Sequence, residues 1–308
     1  MNALSTIKTF ECMNTTIRLG GLNSKSETIE NLTNYFHSFE HRFSRFMDSS
    51  ELSTFNNQPV GIPIFVSDEL YSIIKEAQFY AERTEYLFNP LIGSRIEELG
   101  YDISFQPHMY KEARELNPFT VHKKGIELLP QSNVIIKHSN EKLDINGIAK
   151  GWSVDQAKLL AIRAGMEEGF INAGGDVAIW GDSSQIVGVS NPLQEELDII
   201  SLFVKNANMA TSSPLYRKWK QGDKDRHHII NGQTGYSITT NVVQVTAIAP
   251  TVSEAEVLAK VLCMMPFEEG IKWLTKHFPK RAAIIIREDG KIAISKTIHE
   301  YVEGMNLL

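Results

Sequence analysis

The sequence predicts a mixed α/β fold, an α+β arrangement of antiparallel and mixed sheets packed against helices, and three features carry that prediction. Two long windows, 26–46 and 67–83, repeat apolar residues at three- and four-residue spacing, the period of a helix with one buried face. Short apolar runs meet at glycine-bearing turns, as in "FINAGGDVAIW" (170–180) and "IIIREDGKIAI" (284–294), and read as hairpins. Helices and strands also interleave without the strict βαβ alternation of a doubly wound parallel sheet. The chain has 308 residues and no linker-like tract or repeat, so 1–308 is read as a single domain.

Taken in order, residues 9–19 alternate like an opening strand that ends at Gly20-Gly21. A helix follows from Ser26 to Phe46, with Ile29, Leu32, Phe36, Phe39 and Phe43 on its apolar side. "MDSSELSTFNN" (47–57) predicts a turn and a short helix with Ser50 as N-cap, because a serine hydroxyl there accepts from an otherwise unpartnered N–H. A second amphipathic helix spans 67–83, 85–102 holds a turn and a short helix, and 102–118 is the most loop-like stretch. Short strands broken by "KKG" and "PQSN" fill 119–137. "LDINGIAKGWSVDQAKLLAIRAG" (143–165) is a loop feeding a helix that stops at Gly165. Strands are expected at 185–190, 197–204 and 242–250, helices at 253–262 and 266–277, and a final hairpin turning at Asp289-Gly290. On the 253–262 helix, Ala255, Leu258, Ala259 and Leu262 form the expected buried stripe. That leaves Glu256 and Lys260 as a solvated pair one turn apart.

Composition narrows the function classes. A content of 42% hydrophobic and 22% charged residues is ordinary for a globular protein. A net charge of −6 without a basic stripe argues against nucleic acid or anionic lipid as the main partner. The opening "MNALSTIKTFECMNTTIRLGG" has no apolar run long enough for a signal peptide or a spanning helix, and Cys12 follows "KTFE" rather than a small-residue processing site. No membrane anchor is expected, and the expected location is the cytoplasm. Cys12 and Cys263 lack metal-ligand spacing and imply no disulfide, which suits a reducing compartment.

Four segments hold more glycine and polar residues than packing requires. "DINGIAKGWSVD" (144–155) is a loop-to-helix entry that aims backbone N–H groups and Lys150 at any nearby anion, although a plain helix start reads the same way. In "NAGGDVA" (172–178) two adjacent glycines permit positive φ or close approach, with Asp176 leaving the turn; a tight hairpin accounts for it equally. It is not GxGxxG and it precedes a strand, which disfavours a Rossmann site. "MATSSPLYRKW" (209–219) and "RHHIINGQTGYS" (226–237) supply the hydroxyls of Thr211, Ser212 and Ser213 and the imidazoles of His227 and His228. Neighbours on a strand face opposite ways, so at most one of the two histidines belongs to a given site. No nucleophile elbow, HExxH or nearby cysteine is present, which argues against a serine hydrolase and against zinc. The fourth segment is the helix carrying Glu256 and Lys260.

In order, the chain contains "MNTT", "FSRFMDSSELSTFN", "FNPLIG", "LDINGIAKGWSVDQA", "INAGGDVAIWG", "MATSSPLYR", "HHIINGQTG" and "VTAIAPTVSEAEVLAKVL". Any one of these is a soft signal; eight in series from Met13 to Met265 resemble the FAD:protein FMN transferase family, the ApbE-like flavin transferases. The resemblance implies an ApbE-like fold of two intimate lobes with FAD in the cleft between them. It implies FAD as substrate and Mg2+ as cofactor, with FMN passing through a phosphoester bond to a Thr or Ser hydroxyl of an acceptor flavoprotein and AMP released. Some members hydrolyse FAD to FMN and AMP, so an FAD pyrophosphatase is one alternative. A non-catalytic FAD binder with a degenerate metal site is another.

By the same resemblance, Met13, Phe46, Leu87, Phe88, Asn89, Lys150 and Ile230 match FAD-contacting positions, and Asp144, Asp176 and His228 match polar positions around the chemistry. Apolar Phe46 and polarisable Met13 suit an isoalloxazine ring, and Lys150 at a helix entry suits a pyrophosphate; Phe46 also continues the core stripe of its helix. The metal ligands fall at Gly147, through its carbonyl, at Glu256 in place of an aspartate, and at Lys260 in place of a threonine. An ammonium has no lone pair to offer a metal, so Lys260 departs from the pattern chemically; it either swings away or supplies a tethered positive charge of its own. Asn89 and Asn231 stand where the family commonly carries aspartate.

Overall fold

The computed structural model describes residues 6–130 and 132–308. Among them are helices α1 (Ser26–Phe43), α2 (Glu51–Asn56), α3 (Asp68–Arg83), α4 (Gly93–Glu98), α5 (Ala149–Arg163), α6 (Val252–Cys263) and α7 (Phe267–His277). The chain forms two compact units. One comprises 6–37, Lys150–Leu215 and Thr240–Leu308, the other Ser38–Ala149 and Tyr216–Thr239, so the boundary falls inside α1.

The first unit is built on an eight-stranded antiparallel sheet. Its spatial order is Thr6–Cys12, Thr15–Gly21, Gly169–Ala173, Asp176–Trp180, Asn208–Ser212, Val242–Ala249, Ala282–Arg287 and Ile292–Ile294. Alternate side chains face opposite covers. Ile171, Ala173, Ala178 and Trp180 pack with Ile29, Leu32 and Phe36 of α1 and with Val154, Ala157 and Ala161 of α5. On the other face Val177, Ile179, Met209 and Ile248 meet Ile200, Leu202 and Val204 from a three-stranded sheet of Gln185–Asn191, Gln194–Val204 and Val302–Leu307. With both faces covered, an inner strand such as "VVQVTAIA" is buried along its whole length and reads as a continuous apolar run. Ala210, Ala249 and Ala255 pack together, small residues that let α6 approach the sheet closely.

The second unit holds α2, α3 and α4 with small sheets. Pro63–Phe65, Val134–Lys137 and Ile126–Leu129 form one; Lys218–Gln221 pairs antiparallel with Lys224–His227 and parallel with Tyr110–Lys111 in another; Ile230–Asn231 pairs with Tyr236–Ser237. Ile92, Ile96, Leu99, Tyr101, Met109, Trp219 and Ile230 make a core cluster, with Phe46 packed against it.

The sequence placed most helices within a residue or two, and the differences have local causes. The expected strand at 9–19 is a hairpin, because Met13 (φ 54°) and Asn14 (φ 55°) take the two left-handed positions of a tight turn. Helix α1 stops at Phe43 rather than Phe46, where the Ser44 hydroxyl accepts from Phe46 N at 3.3 Å in place of a helical carbonyl. Ser50 caps α2 as expected, accepting from Ser53 N at 3.0 Å. Helix α6 differs most. Glu256 is only 5% exposed and Glu254 4%, so the solvated pair expected at 256 and 260 is corrected to a buried carboxylate on a helix covered nearly all round. Burial is tolerated because each carboxylate has a donor: Arg281 Nε to Glu254 at 2.9 Å, Gly151 N to Glu256 Oε2 at 2.8 Å.

Candidate functional site

In the first unit the candidate residues Met13, Lys150 and Asp176 gather at the opening turn of α5. Lys150 forms an ion pair with Asp176, whose carboxylate is 1% exposed at the head of its strand. Oδ1 of Asp176 has no hydrogen-bond partner among the described residues. Ser153 Oγ donates to Lys150 O at 2.6 Å and lies 3.9 Å from Met13 Sδ, so the same turn holds Met13, Lys150 and Asp176 together. The glycine turn is needed where it stands: at Gly174 (φ +62°) a Cβ would lie 2.0 Å from Thr15 Oγ1, and Gly175 has φ +96°. The hydroxyls singled out at 211–213 include two with structural partners. Thr211 pairs with Thr246 at 2.8 Å across adjacent strands, and Ser213 donates to Val243 O at 2.7 Å.

In the second unit two segments from distant parts of the chain lie side by side. Gly232 N donates to Leu87 O at 2.9 Å, while Asn89 donates through Nδ2 to Gly232 O at 3.1 Å and accepts from Leu91 N at 2.9 Å. Asn89 is therefore committed to backbone, Phe88 is core, and Leu87 is half-buried. Asn231 accepts from Gln233 N at 2.9 Å and Thr234 N at 3.2 Å, a turn that an aspartate would make equally. Asp144 joins the same group through its N–H, which donates to Pro90 O at 2.8 Å. Both of its carboxylate oxygens are engaged, Oδ1 by Asn146 N at 2.7 Å and Oδ2 by Arg45 Nε at 3.0 Å. Gly147 is buried three residues on.

Arg45 is a residue that sequence reasoning missed. Its guanidinium lies 4.1 Å from the Phe46 ring centroid and 4.8 Å from that of Tyr101, and it donates to Tyr101 O at 2.6 Å. An arginine between two aromatics in "FSRF" was the available signal, because a planar cation stacks on such rings.

Of the histidine pair, His227 has its ring held by backbone on both sides. His227 Nε2–H donates to Ile238 O at 2.9 Å and its Nδ1 accepts from Ile229 N at 3.3 Å, a tautomer inferred from these two partners. Protonating Nδ1 would remove the acceptor that Ile229 uses, and burial pushes the His227 pKa below the ordinary 6.5. The folded state therefore binds this proton less readily than the unfolded chain. Its stability is full above pH 6.5 and is lost as pH falls toward the folded value. Urea unfolding should show stability falling on acidification below that pH, with a shallower slope in His227→Gln. An identical slope in the variant would remove His227 from the account.

The ApbE family profile matches residues 13–285. The chain belongs to the ApbE family. The FAD:protein FMN transferase of Treponema pallidum is 26% identical over 280 residues, 84% of this chain and 76% of its own length. The enzyme of that name from Vibrio cholerae is 27% identical over 237 residues, 75% and 71% of the two chains. An ApbE protein from Thermotoga maritima shares the fold with a TM-score of 0.83 at 24% identity, covering 98% of this chain and all (100%) of that one. The flavin transferase ApbE of Vibrio cholerae gives 0.77 at 20% identity, covering 97% and 99%.

The donor set of this ApbE chain is a poor fit for Mg2+. On α6, Glu256 has already spent Oε2 on Gly151 N–H, and Lys260 ends in an ammonium. Of those two positions only Glu256 offers oxygen, and an ammonium cannot ligate an ion that requires near-octahedral oxygen ligation. A buried carboxylate facing a helix amino end is instead satisfied by N–H groups and by the helix dipole. Neither cysteine is in a disulfide and both are buried, and no helix among the described residues is long and apolar enough to cross a membrane.

Proposed function

We propose that this ApbE protein is an FAD:protein FMN transferase that moves FMN from FAD to a Thr or Ser hydroxyl of an acceptor flavoprotein and releases AMP. The observation that carries this reading is the family match over 13–285, and relatives bearing that name reinforce it. The reading takes 1–308 as one functional domain built from both units, acting in the cytoplasm.

In the reaction, the acceptor hydroxyl oxygen bonds to the phosphorus on the FMN side of the pyrophosphate. The bond from that phosphorus to the bridging oxygen breaks, AMP leaves with that oxygen, and the hydroxyl proton passes to a base, a role we give to His228. Phosphoryl transfer needs charge neutralisation and in-line placement more than covalent help. Lys150 supplies a positive charge at the mouth of α5, and Asp176 orients it. Asp144, with both oxygens engaged, is read as an organiser of the 144–147 loop rather than a proton carrier. Met13 in the first unit, and Phe46, Leu87 and Ile230 in the second, are apolar side chains of the kind a flavin takes, and Asn89 holds its own segment against Gly232.

The test is AMP release from FAD with and without a Thr-containing flavoprotein acceptor, each in Mg2+ and in EDTA. AMP formed only with acceptor, and FMN left covalently attached to it, are the expected results. Release that survives EDTA, with metal stimulation appearing in Lys260→Thr, is expected from the donor set. AMP without acceptor would make the protein an FAD pyrophosphatase, and FAD binding with no AMP in any condition would make it a flavin binder.

A further inference from the structure

Helices α5 and α6 meet amino end to amino end. Asp155, nearly two turns into α5, accepts from Val252 N and Ser253 N of α6 at 2.9 Å each. Glu256, one turn into α6, accepts from Gly151 N of α5 at 2.8 Å. Thr251 Oγ1 takes Glu254 N at 3.2 Å, so the first three N–H groups of α6 all have side-chain acceptors. The approach is close enough to demand glycine: a Cβ at 151 would lie 2.7 Å from Val252 O and 2.8 Å from Ser253 N, both backbone atoms. Two helix amino ends side by side place like partial charges together, and a carboxylate from each helix on the other's end reverses the sign of that interaction. Burial pushes the Asp155 carboxyl above the ordinary carboxylate range, while the two N–H donors and Lys158 pull it back toward the charged form.

We propose that Asp155 is a positioning residue for flavin transfer, forming with Glu256 a reciprocal clasp between α5 and α6 that sets where Lys150 stands. Lys150 is the residue before Gly151 and meets Asp176 on a separate element, so a shift of the clasped turn moves its ammonium against a fixed partner. Misplacement by about an ångström of a group that neutralises a transferring phosphate is costly even when the fold survives. This inference rests on the transferase reading, through the role of Lys150 toward the FAD pyrophosphate.

The experiment compares FAD and riboflavin affinity, by flavin fluorescence, in the wild-type chain, Asp155→Asn, Lys150→Gln and the double variant. Asp155→Asn keeps the shape but puts an amide N–H against a backbone N–H. FAD affinity is expected to fall about tenfold and riboflavin affinity to hold, because riboflavin lacks the phosphates. The double variant should bind FAD no more weakly than Lys150→Gln alone, the non-additivity of residues acting as one unit. A lowered melting temperature with unchanged FAD affinity, equal losses for both ligands, or additive losses would each overturn the clasp. If Asp155→Asn does not fold, Gly151→Ala applies the same displacement from the other side and is read the same way. A wild-type chain that fails to bind FAD would overturn the transferase reading itself, a result separable from any behaviour of the variants.

Discussion

Replacing Lys150 with alanine is expected to weaken FAD binding ten- to a hundredfold, because a hydrogen bond to a charged group contributes about 1.5–3 kcal/mol. The same change should lower stability. Asp176 is 1% exposed and would lose the cation that compensates its burial, at a cost of about 3 kcal/mol for a broken buried pair. The two effects separate in the double variant Lys150→Ala/Asp176→Asn, which removes the stranded charge. Urea unfolding should return most of the stability there, while fluorescence titration shows FAD binding still weak. Should affinity return together with stability, Lys150 would be a structural partner of Asp176 and nothing more.

Replacing His228 with alanine is expected to reduce the rate constant for FMN transfer by about a hundred- to ten-thousandfold, the range for loss of a general base. FAD affinity should stay at the wild-type level, since the imidazole is given a role in the transition state rather than in ground-state binding. The residual rate should climb steadily with pH as hydroxide replaces the missing base. His227→Gln provides the contrast: its imidazole is held between Ile238 O and Ile229 N, so stability changes and the rate constant does not. A raised KM for FAD with an unchanged rate constant in His228→Ala would turn that residue into a binding contact.

These contrasts mark how far the chain was legible. The candidate site residues came from the order of eight motifs, and their contacts did not. Asp144 and Asp176 look alike in the sequence, yet Asp144 has both oxygens engaged while Asp176 keeps Oδ1 open beside Lys150. Phe46 was expected to continue the helix stripe; it lies past the end of α1, under the guanidinium of Arg45. The strand Val302–Leu307 and the hairpin of Lys218–Gln221 with Lys224–His227 went unread, because "KWKQ" and "VEGMNL" carry little apolar periodicity and owe their form to the strands they pair with.

What the sequence determined by itself is local. The helical windows, the Ser50 cap, the glycine turn at 174–175 and the hairpin at Asp289-Gly290 depend on side-chain period, allowed φ and partners a few residues away, all present in a short window. The tertiary structure alone decided which charges are buried and what they hold. Glu256 reads as a solvated helix residue until Gly151, 105 positions earlier, supplies the N–H that lets its carboxylate leave water. A charge is buried only where a partner waits, and no local window contains partners that far apart.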